Sequence, residues 1–349
     1  VSAILDKLLK GQNVEWLPLG EALKRTKGTS ITAGQMKELH KDNAPVKIFA
    51  GGKTFAMVNY EDIPSKDINN EPSIIVKSRG IIEFEYYDKP FSHKNEMWAY
   101  HSQNSNIAIK YVYYFLKTQE QHFQNIGSKM QMPQIATPDT DKFLIPIPPL
   151  DVQAEIVRIL DAFTAVTAEL TAELNMREKQ YQYYRDKLLS FSSDEINWKK
   201  LGDIGEVRMC KRILKNQTAP SGDIPFYKIG TFGKQADAYI SKSLFDEYKQ
   251  KYSYPKIGEI LISASGTIGR TVIFDGKDAY FQDSNIVWIE NDENLILNKF
   301  LFYYYQIVNW GASEGGTISR LYNDNIRKIN IPIPPISEQK RIIEILDKF

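Results

Sequence analysis

Ile145-Pro146-Ile147-Pro148-Pro149 opens a segment that ends Ile159-Leu160-Asp161-Ala162-Phe163, and Ile331-Pro332-Ile333-Pro334-Pro335 opens one that ends Ile345-Leu346-Asp347-Lys348-Phe349. Asp161 of the first ending answers to Asp347 of the second, and each proline of the first border to one of the second at the same offset. Trp16-Leu17-Pro18-Leu19-Gly20-Glu21 likewise returns as Trp198-Lys199-Lys200-Leu201-Gly202-Asp203, at a slightly shorter offset. Between these borders the two long segments agree poorly. Matched frames around unlike interiors predict a scaffold that presents two separately specialised recognition modules.

Outward from the first proline-rich border, residues 152–190 contain neither glycine nor proline. Ile156, Leu160, Phe163, Thr167, Leu170, Leu174, Arg177, Tyr181, Tyr184 and Leu188 follow one another in steps of three and four, and only Thr167 and Arg177 break the apolar seam. That is the period of a coiled coil. At 1.5 Å per residue the helix is roughly 60 Å long, which favours a spacer rod over a helix lying on one small core. Asp151 is the expected N-cap of this helix and Ser337 that of its repeat.

Within the first frame, short β-rich runs such as Ser73-Ile74-Ile75-Val76 alternate with turn signals such as Ala50-Gly51-Gly52-Lys53, and an aromatic helix follows at Tyr111–Leu116. The second frame repeats the plan, with strands at Glu259–Ile262 and Asn285–Ile289 and an aromatic helix at Phe300–Tyr305. The expected fold is α+β: two α/β recognition domains, 1–149 and 192–335, joined by long antiparallel spacer helices, 150–191 and the short 336–349. Asp6-Lys7-Leu8-Leu9 matches Asp186-Lys187-Leu188-Leu189, so the chain reads as a circularly permuted repeat that begins with the tail of a repeat helix and ends with the head of one. Both ends are then expected near the same rod. A self-dimer through the exposed seam is an expected consequence of the short second helix.

With 44 Lys and Arg against 43 Asp and Glu, the net charge of +1 gives no global basic signature, so any nucleic-acid site must rest on local clusters. No apolar run approaches the ~20 residues of a membrane span, and the single Cys210 excludes an intramolecular disulfide framework; a soluble, cytoplasmic protein is expected.

The block Glu155–Asp161, the run Leu170–Arg177 and the stretch Tyr183–Leu189 resemble the central region of specificity subunits of type I restriction-modification systems, most of all their IC branch. Gly230-Thr231-Phe232-Gly233 and Gln282-Asp283-Ser284-Asn285 extend the resemblance into the second module. The resemblance implies two target-recognition domains at the ends of a helical spacer, each reading half of a bipartite site in double-stranded DNA. It implies no chemistry in this chain: two methyltransferase subunits dock on it and bring S-adenosylmethionine, and motor-nuclease subunits, with ATP and Mg²⁺, join through them. Such subunits continue the second spacer helix beyond the position of Phe349.

Candidate DNA contacts follow. Arg208, Lys211, Arg212 and Lys215 place four cations in eight residues, with no acid from Val207 to Gly222. The glycine-bearing loops Ser265–Arg270 and Glu314–Arg320 supply Ser265, Thr267, Arg270, Thr317, Ser319 and Arg320, a kit suited to groove reading because Arg binds guanine bidentately and Ser or Thr serves base edge or phosphate. The first module offers Lys24, Arg25 and Lys27 after a short helix, Lys77 and Arg79 at a strand end, and His93 and Lys94 in a polar turn. Ser78–Gly80 matches the Ser265–Gly269 loop. Each of these residues also has an ordinary reading as surface charge or turn.

Enzymatic readings mostly fail. Gly52-Lys53-Thr54 would need a glycine at position 47, where Lys47 stands, to form a phosphate loop. Ile147-Pro148-Pro149-Leu150 lacks the asparagine of an adenine-methyltransferase motif, carboxylates and lysines are scattered, and four histidines with one cysteine form no zinc spacing. The alternatives to a DNA-specificity subunit are a protein-binding assembly scaffold and, less favoured, a DNA methyltransferase.

Overall fold

The computed structural model describes residues 9, 11, 13–128, 132–192, 196–311 and 320–349. The chain divides into two units, residues 1–170 and 171–349. Asp6, Lys7 and Leu8 of the expected permuted repeat lie outside the described residues.

In the first unit the described strands are β1 (Glu15–Pro18), β2 (Lys24–Arg25), β3 (Val46–Phe49), β4 (Phe55–Val58), β5 (Ser73–Lys77), β6 (Glu83–Tyr87), β7 (Phe91–His93), β8 (Trp98–His101) and β9 (Leu144–Ile147). In the second they are β10 (Asn197–Lys200), β11 (Gly205–Arg208), β12 (Ile224–Tyr227), β13 (Tyr239–Ile240), β14 (Ile260–Ser263), β15 (Thr271–Ile273), β16 (Tyr280–Phe281), β17 (Ile286–Asn291) and β18 (Asn330–Ile333). The matched borders prove to be partners. β1 pairs antiparallel with β9, Trp16 opposite Pro146, and β10 pairs antiparallel with β18, Trp198 opposite Pro332. Each module is thus closed by a ribbon made of its own entry and exit, which explains why those short runs recur while the interiors diverge.

Inside the ribbons the two units share one plan. The first has a four-stranded antiparallel sheet in the order β2-β8-β5-β6, the second one in the order β11-β17-β14-β15. A smaller sheet accompanies each, β4-β3-β7 and β13-β12-β16, both with one parallel pair. β5 and β14 are buried at every residue, and their runs Ile74-Ile75-Val76 and Ile260-Leu261-Ile262 suit a strand covered on both faces. The aromatic helices Ile109–Thr118 and Asn298–Tyr304 complete the cores, the first with Val112 and Leu116 on Ile74, Phe84 and Tyr100, the second with Phe300 and Leu301 on Ile260, Ile262 and Val287.

The long helix runs Leu150–Leu188, 39 residues, or about 58 Å at 1.5 Å per residue. Its start differs from the expectation. The first helical bond runs from Gln153 N to Pro149 O, so Asp151 sits inside the first turn, where a carboxylate meets the positive end of the helix dipole, and does not cap it. The last helix, Ile336–Leu346, is flanked by Pro335 in the cap position, and Ser337 is likewise internal. In both cases the last proline of the border, Pro149 or Pro335, stands where a capping side chain would, extended at Pro335.

The seam is covered at its two ends and bare between them. Ile156 packs against the first core, and Tyr181 and Leu188 pack against the second, which also holds Ile342 and Leu346 of the last helix. The Phe349 ring lies 6.0 Å from that of Tyr181 and 5.6 Å from that of Tyr184. Phe163, Leu170 and Leu174 remain 67%, 60% and 59% exposed. Among the described residues no helix is long and apolar enough to cross a membrane.

Candidate nucleic-acid interface

At the end of β5 the chain leaves the sheet through Ser78-Arg79-Gly80, and the segment Pro133–Ile135 returns beside it. Ile135 N donates to Ser78 O at 3.0 Å, Arg79 bridges antiparallel to Gln134, and Gly80, at φ +75°, donates its N–H to Pro133 O at 2.9 Å. The second unit builds the same rim after β14. Leu321 N donates to Ala264 O at 2.8 Å, Ser265 bridges antiparallel to Arg320, and Gly266 follows at φ +65°. In space Arg79 therefore corresponds to Ser265, one residue away from the alignment read off the sequence, and Gln134 corresponds to Arg320. The arginine has changed strands between the two rims. Gln134 escaped the sequence reading, although it precedes Arg320 by the same offset that separates Asp161 from Asp347.

The second rim continues into a tight loop. Ser263 Oγ donates to Thr267 O at 2.5 Å and accepts from Arg270 N at 2.9 Å. Gly269, at φ +79°, lies so close to Trp310 that an added Cβ would meet its Nε1 at 2.3 Å, so only glycine fits. Arg270 donates to Phe232 O at 3.0 Å and, with Thr267 and Lys234, borders an open concavity of 220 Å³ floored by Ile229 and Phe232. Ser265 donates to Asn285 Oδ1 at 2.8 Å, and Arg320 donates to Ser284 O at 3.3 Å. Thr317 and Ser319 lie outside the described residues.

The basic strip is less bare than its sequence. Arg208 is paired with Glu206 at 2.7 Å and Glu290 at 3.0 Å, and Arg212 with Asp283 at 3.0 Å. Lys211 is exposed with its ammonium 5.0 Å from the Tyr252 ring centroid, and Lys215 is exposed in a single 3₁₀ turn. Two of the four cations thus already face carboxylates, one of them 82 positions distant in the chain.

In the first unit Lys24, Lys27 and Arg79 are exposed. Arg25 pairs with Asp141 at 2.6 Å and Lys94 with Glu96 at 2.8 Å. Two expectations are corrected. Lys77 is buried, its ammonium 2.6 Å from Glu83 and 2.9 Å from Glu85. Burial disfavours its charge, but the bonds and charges of the two glutamates outweigh this and raise its pKa above the ordinary lysine value. His93 is not in a polar turn; it is 1% exposed at the end of β7, its Nε2 2.8 Å from Thr26 Oγ1 and its Nδ1 3.0 Å from Lys94 O. Burial pushes its pKa below the ordinary value, against the pull of the Lys94 carbonyl and Glu96, so the ring is neutral near pH 7. Both side chains hold the fold together. Lys77→Ala is expected to destabilise the protein by about 2 kcal/mol, less than a fully buried pair would because Glu83 and Glu85 keep 34% and 32% of their side-chain surface. Denaturant titration would show the loss, while an unchanged stability with weaker DNA binding would return Lys77 to the interface.

Among the described residues no group of three or more His, Cys, Asp or Glu is placed to hold a metal ion. Cys210 is buried, and that burial raises its thiol pKa to about 12, so it is no nucleophile at neutral pH.

Known proteins resemble this chain along nearly its whole length. The family model described as the type I restriction modification DNA specificity domain matches residues 24–177 and again residues 194–349. A Haemophilus influenzae protein named as a putative type I restriction enzyme specificity subunit is 48% identical over 359 residues, covering 99% of this chain and 90% of its own length. The specificity subunit of the Escherichia coli type I restriction enzymes EcoR124I and EcoR124II is 32% identical over 366 residues, covering 99% of this chain and 89% of its own. The crystal structure of the S subunit of a type I restriction-modification system from M. genitalium superposes with a TM-score of 0.64 over 97% of this chain and 91% of that one, at 17% identity, a likeness of fold.

Proposed function

The chain belongs to the type I restriction-modification DNA specificity family, and from that premise we propose that its two modules, 1–149 and 192–335, each read one half of a bipartite site in double-stranded DNA. Subunits of this family recognise DNA and are not catalytic. The observation that carries the two-reader function is the repeated rim, one backbone bridge built twice with different side chains, Arg79 with Gln134 in one module and Ser265 with Arg320 in the other. A common frame with exchanged donors and acceptors is what two readers of different half-sites need, since Arg favours guanine and Gln favours adenine in the major groove.

The helices 150–191 and 336–349 set the gap between half-sites, whose centres then lie about one DNA turn apart, roughly 34 Å. The same helices dock two methyltransferase subunits, which bring S-adenosylmethionine, and through them the motor-nuclease subunits that use ATP and Mg²⁺. The complex works in the cytoplasm. Methylome sequencing of the host with and without this gene tests the function: a split motif that disappears with the gene supports it, and an unchanged methylome refutes it.

Lys24, Lys27, Lys211 and Lys215 are the phosphate contacts that position the modules. Lys211→Ala with Lys215→Ala is expected to weaken binding to all sequences and to lower the salt dependence by about two contacts' worth. Arg320→Ala is instead expected to cost about 1 to 3 kcal/mol on the cognate site, and uniform loss on cognate and random DNA would make it a phosphate contact. The exposed stripe of Phe163, Leu170 and Leu174 favours self-association of the isolated chain through the long helix. Light scattering is expected to show a concentration-dependent dimer that Leu170→Glu with Leu174→Glu dissociates; a monomer at every concentration would rule the dimer out.

A further inference from the structure

Each unit contains the same latch between the head of a helix and its recognition module, and nothing in the seam or the rims accounts for it. In the first unit Gln153 is fully buried. Its Oε1 accepts from Ala108 N at 2.8 Å, and its Nε2 donates to Asn106 O at 2.9 Å and Pro148 O at 2.7 Å. In the second unit Gln339, also fully buried, accepts from Leu297 N at 2.8 Å and donates to Leu295 O at 3.1 Å and Pro334 O at 2.8 Å. Ala108 and Leu297 are the N-cap residues of the two aromatic helices, and neither offers a capping side chain. A glutamine from the neighbouring helix thus fixes the backbone at the start of each aromatic helix.

Eight residues further along, a carboxylate makes the second point of attachment. Asp161 accepts from Lys110 Nζ at 2.7 Å and from the Tyr114 hydroxyl, and Asp347 accepts from Lys299 Nζ at 2.6 Å and from the Tyr303 hydroxyl. Lysine and tyrosine stand four residues apart in both aromatic helices and so share a face. Partial burial works against the charge of both aspartates, but the bonds from lysine and tyrosine outweigh it and hold each below the ordinary carboxylate range.

Surface ion pairs between exposed side chains contribute little to stability. The recurrence of this one, with the same four residue types and the same spacing in two modules whose interiors have diverged, calls for another role. A single attachment point leaves a module free to swivel about the helix. Two points about 12 Å apart along the axis, and turned about 80° from one another around it, fix both tilt and rotation.

We propose that Gln153 with Asp161, and Gln339 with Asp347, are positioning residues that lock each recognition module to its helix and so confer strict selection of the gap between half-sites. The proposal rests on the two-reader function above. The latch residues touch no base; they decide how precisely a reader is held while the rims decide what it reads.

The test uses the complex with methyltransferase subunits and duplexes that carry the mapped half-sites at the native gap and at gaps one and two base pairs shorter or longer. The Asp161→Asn, Asp347→Asn double variant is expected to keep both half-sites and to lose at least fivefold in the ratio of methylation at the native gap to that at neighbouring gaps, and Asp161→Glu with Asp347→Glu to recover part of it. Tyr114→Phe with Tyr303→Phe, which removes one bond per latch and keeps each ring, gives the same reading if the aspartate variant does not fold. Hydrogen exchange at the amides of Ala108 and Leu297 reports the latch without DNA and is expected to quicken about tenfold in Gln153→Ala and Gln339→Ala. Faster exchange with an unchanged gap profile would overturn the positioning role and leave the two-reader function standing. A wild-type complex that methylates all gaps alike would overturn the positioning role, and one that methylates duplexes carrying either half-site alone would overturn the two-reader function on which it rests.

Discussion

Exchanging residues 198–335 for the corresponding module of a relative is expected to replace one half-site of the target and leave the other intact. The reason lies in how the module closes. Trp198 pairs with Pro332 and Lys199 with Ile331, and Leu201 N donates to Ile329 O at 2.8 Å, so entry and exit of the exchanged segment are neighbours on one ribbon. The exchange therefore takes both strands of the ribbon from Trp198 onward, and with them β11 to β17 and the core around Ile260, Ile262, Val287 and Phe300, as one piece. The core side chains Leu189, Ile342 and Leu346 stay behind with the helices, and a mismatch there is the main risk to stability. On DNA the effect is large, because specific sites are commonly bound at least about a thousandfold more tightly than random ones. Methylation at the old half-site should fall to the background of random DNA while the first module's half-site persists in the new motif. A change of both half-sites together would mean that the modules do not read independently.

The parts legible in the sequence were those whose cause is local. The three-four spacing from Ile156 to Leu188 announces a helix because each step is set within one or two turns, and the structure carries it from Leu150 to Leu188. The borders were legible as repeats, though not as strands paired with one another, since nothing in Trp16-Leu17-Pro18 states that its partner is Ile145-Pro146-Ile147. Charge was the least legible property. Arg208 and Arg212 look unopposed in a run without acids, yet Glu290 and Asp283 reach them from strands and turns 82 and 71 residues away. His93 reads as a polar-turn residue until the segment after β2 runs beside β7, Thr29 N donating to its carbonyl and Thr26 meeting its ring. Lys77 was recoverable in principle, because Lys77 and Glu83 are opposite each other on one hairpin, but only once the register of β5 and β6 is known. Gln134 and the latch glutamines carry no charge and no motif. For the latch glutamines the signal is recurrence at the offset of the proline-rich borders, Gln153 against Gln339; Gln134 shares only the offset with Arg320, and both become meaningful when the pairing shows the two rims and the two helix heads to be equivalent.

Inserting one heptad between Leu170 and Thr171, where the seam is bare, is expected to abolish methylation at the native gap and to move the preferred gap without altering either half-site. Seven residues lengthen the helix by about 10 Å and turn it by only about 20°, so the apolar stripe continues in register. On DNA the same distance is about three base pairs at roughly 3.4 Å each, over which the duplex turns by roughly 100° at about 10.5 base pairs per turn. Translation and rotation therefore make different demands. At the native gap the second reader is about 10 Å from its bases, far beyond the reach of a side-chain adjustment. At a gap three base pairs longer the distance is restored, and the remaining twist has to be absorbed by the DNA, a deformation whose cost is subtracted from binding. The longer gap should thus become the preferred one while staying below the native complex in rate, by a factor of ten for every about 1.4 kcal/mol of that deformation. Deleting a heptad should shift the preference the other way. Methylation of a duplex series with fixed half-sites and gaps from four base pairs shorter to four longer separates the outcomes, and an inserted variant that still selects the native gap would mean that the helix from Leu150 to Leu188 does not set the distance between the readers.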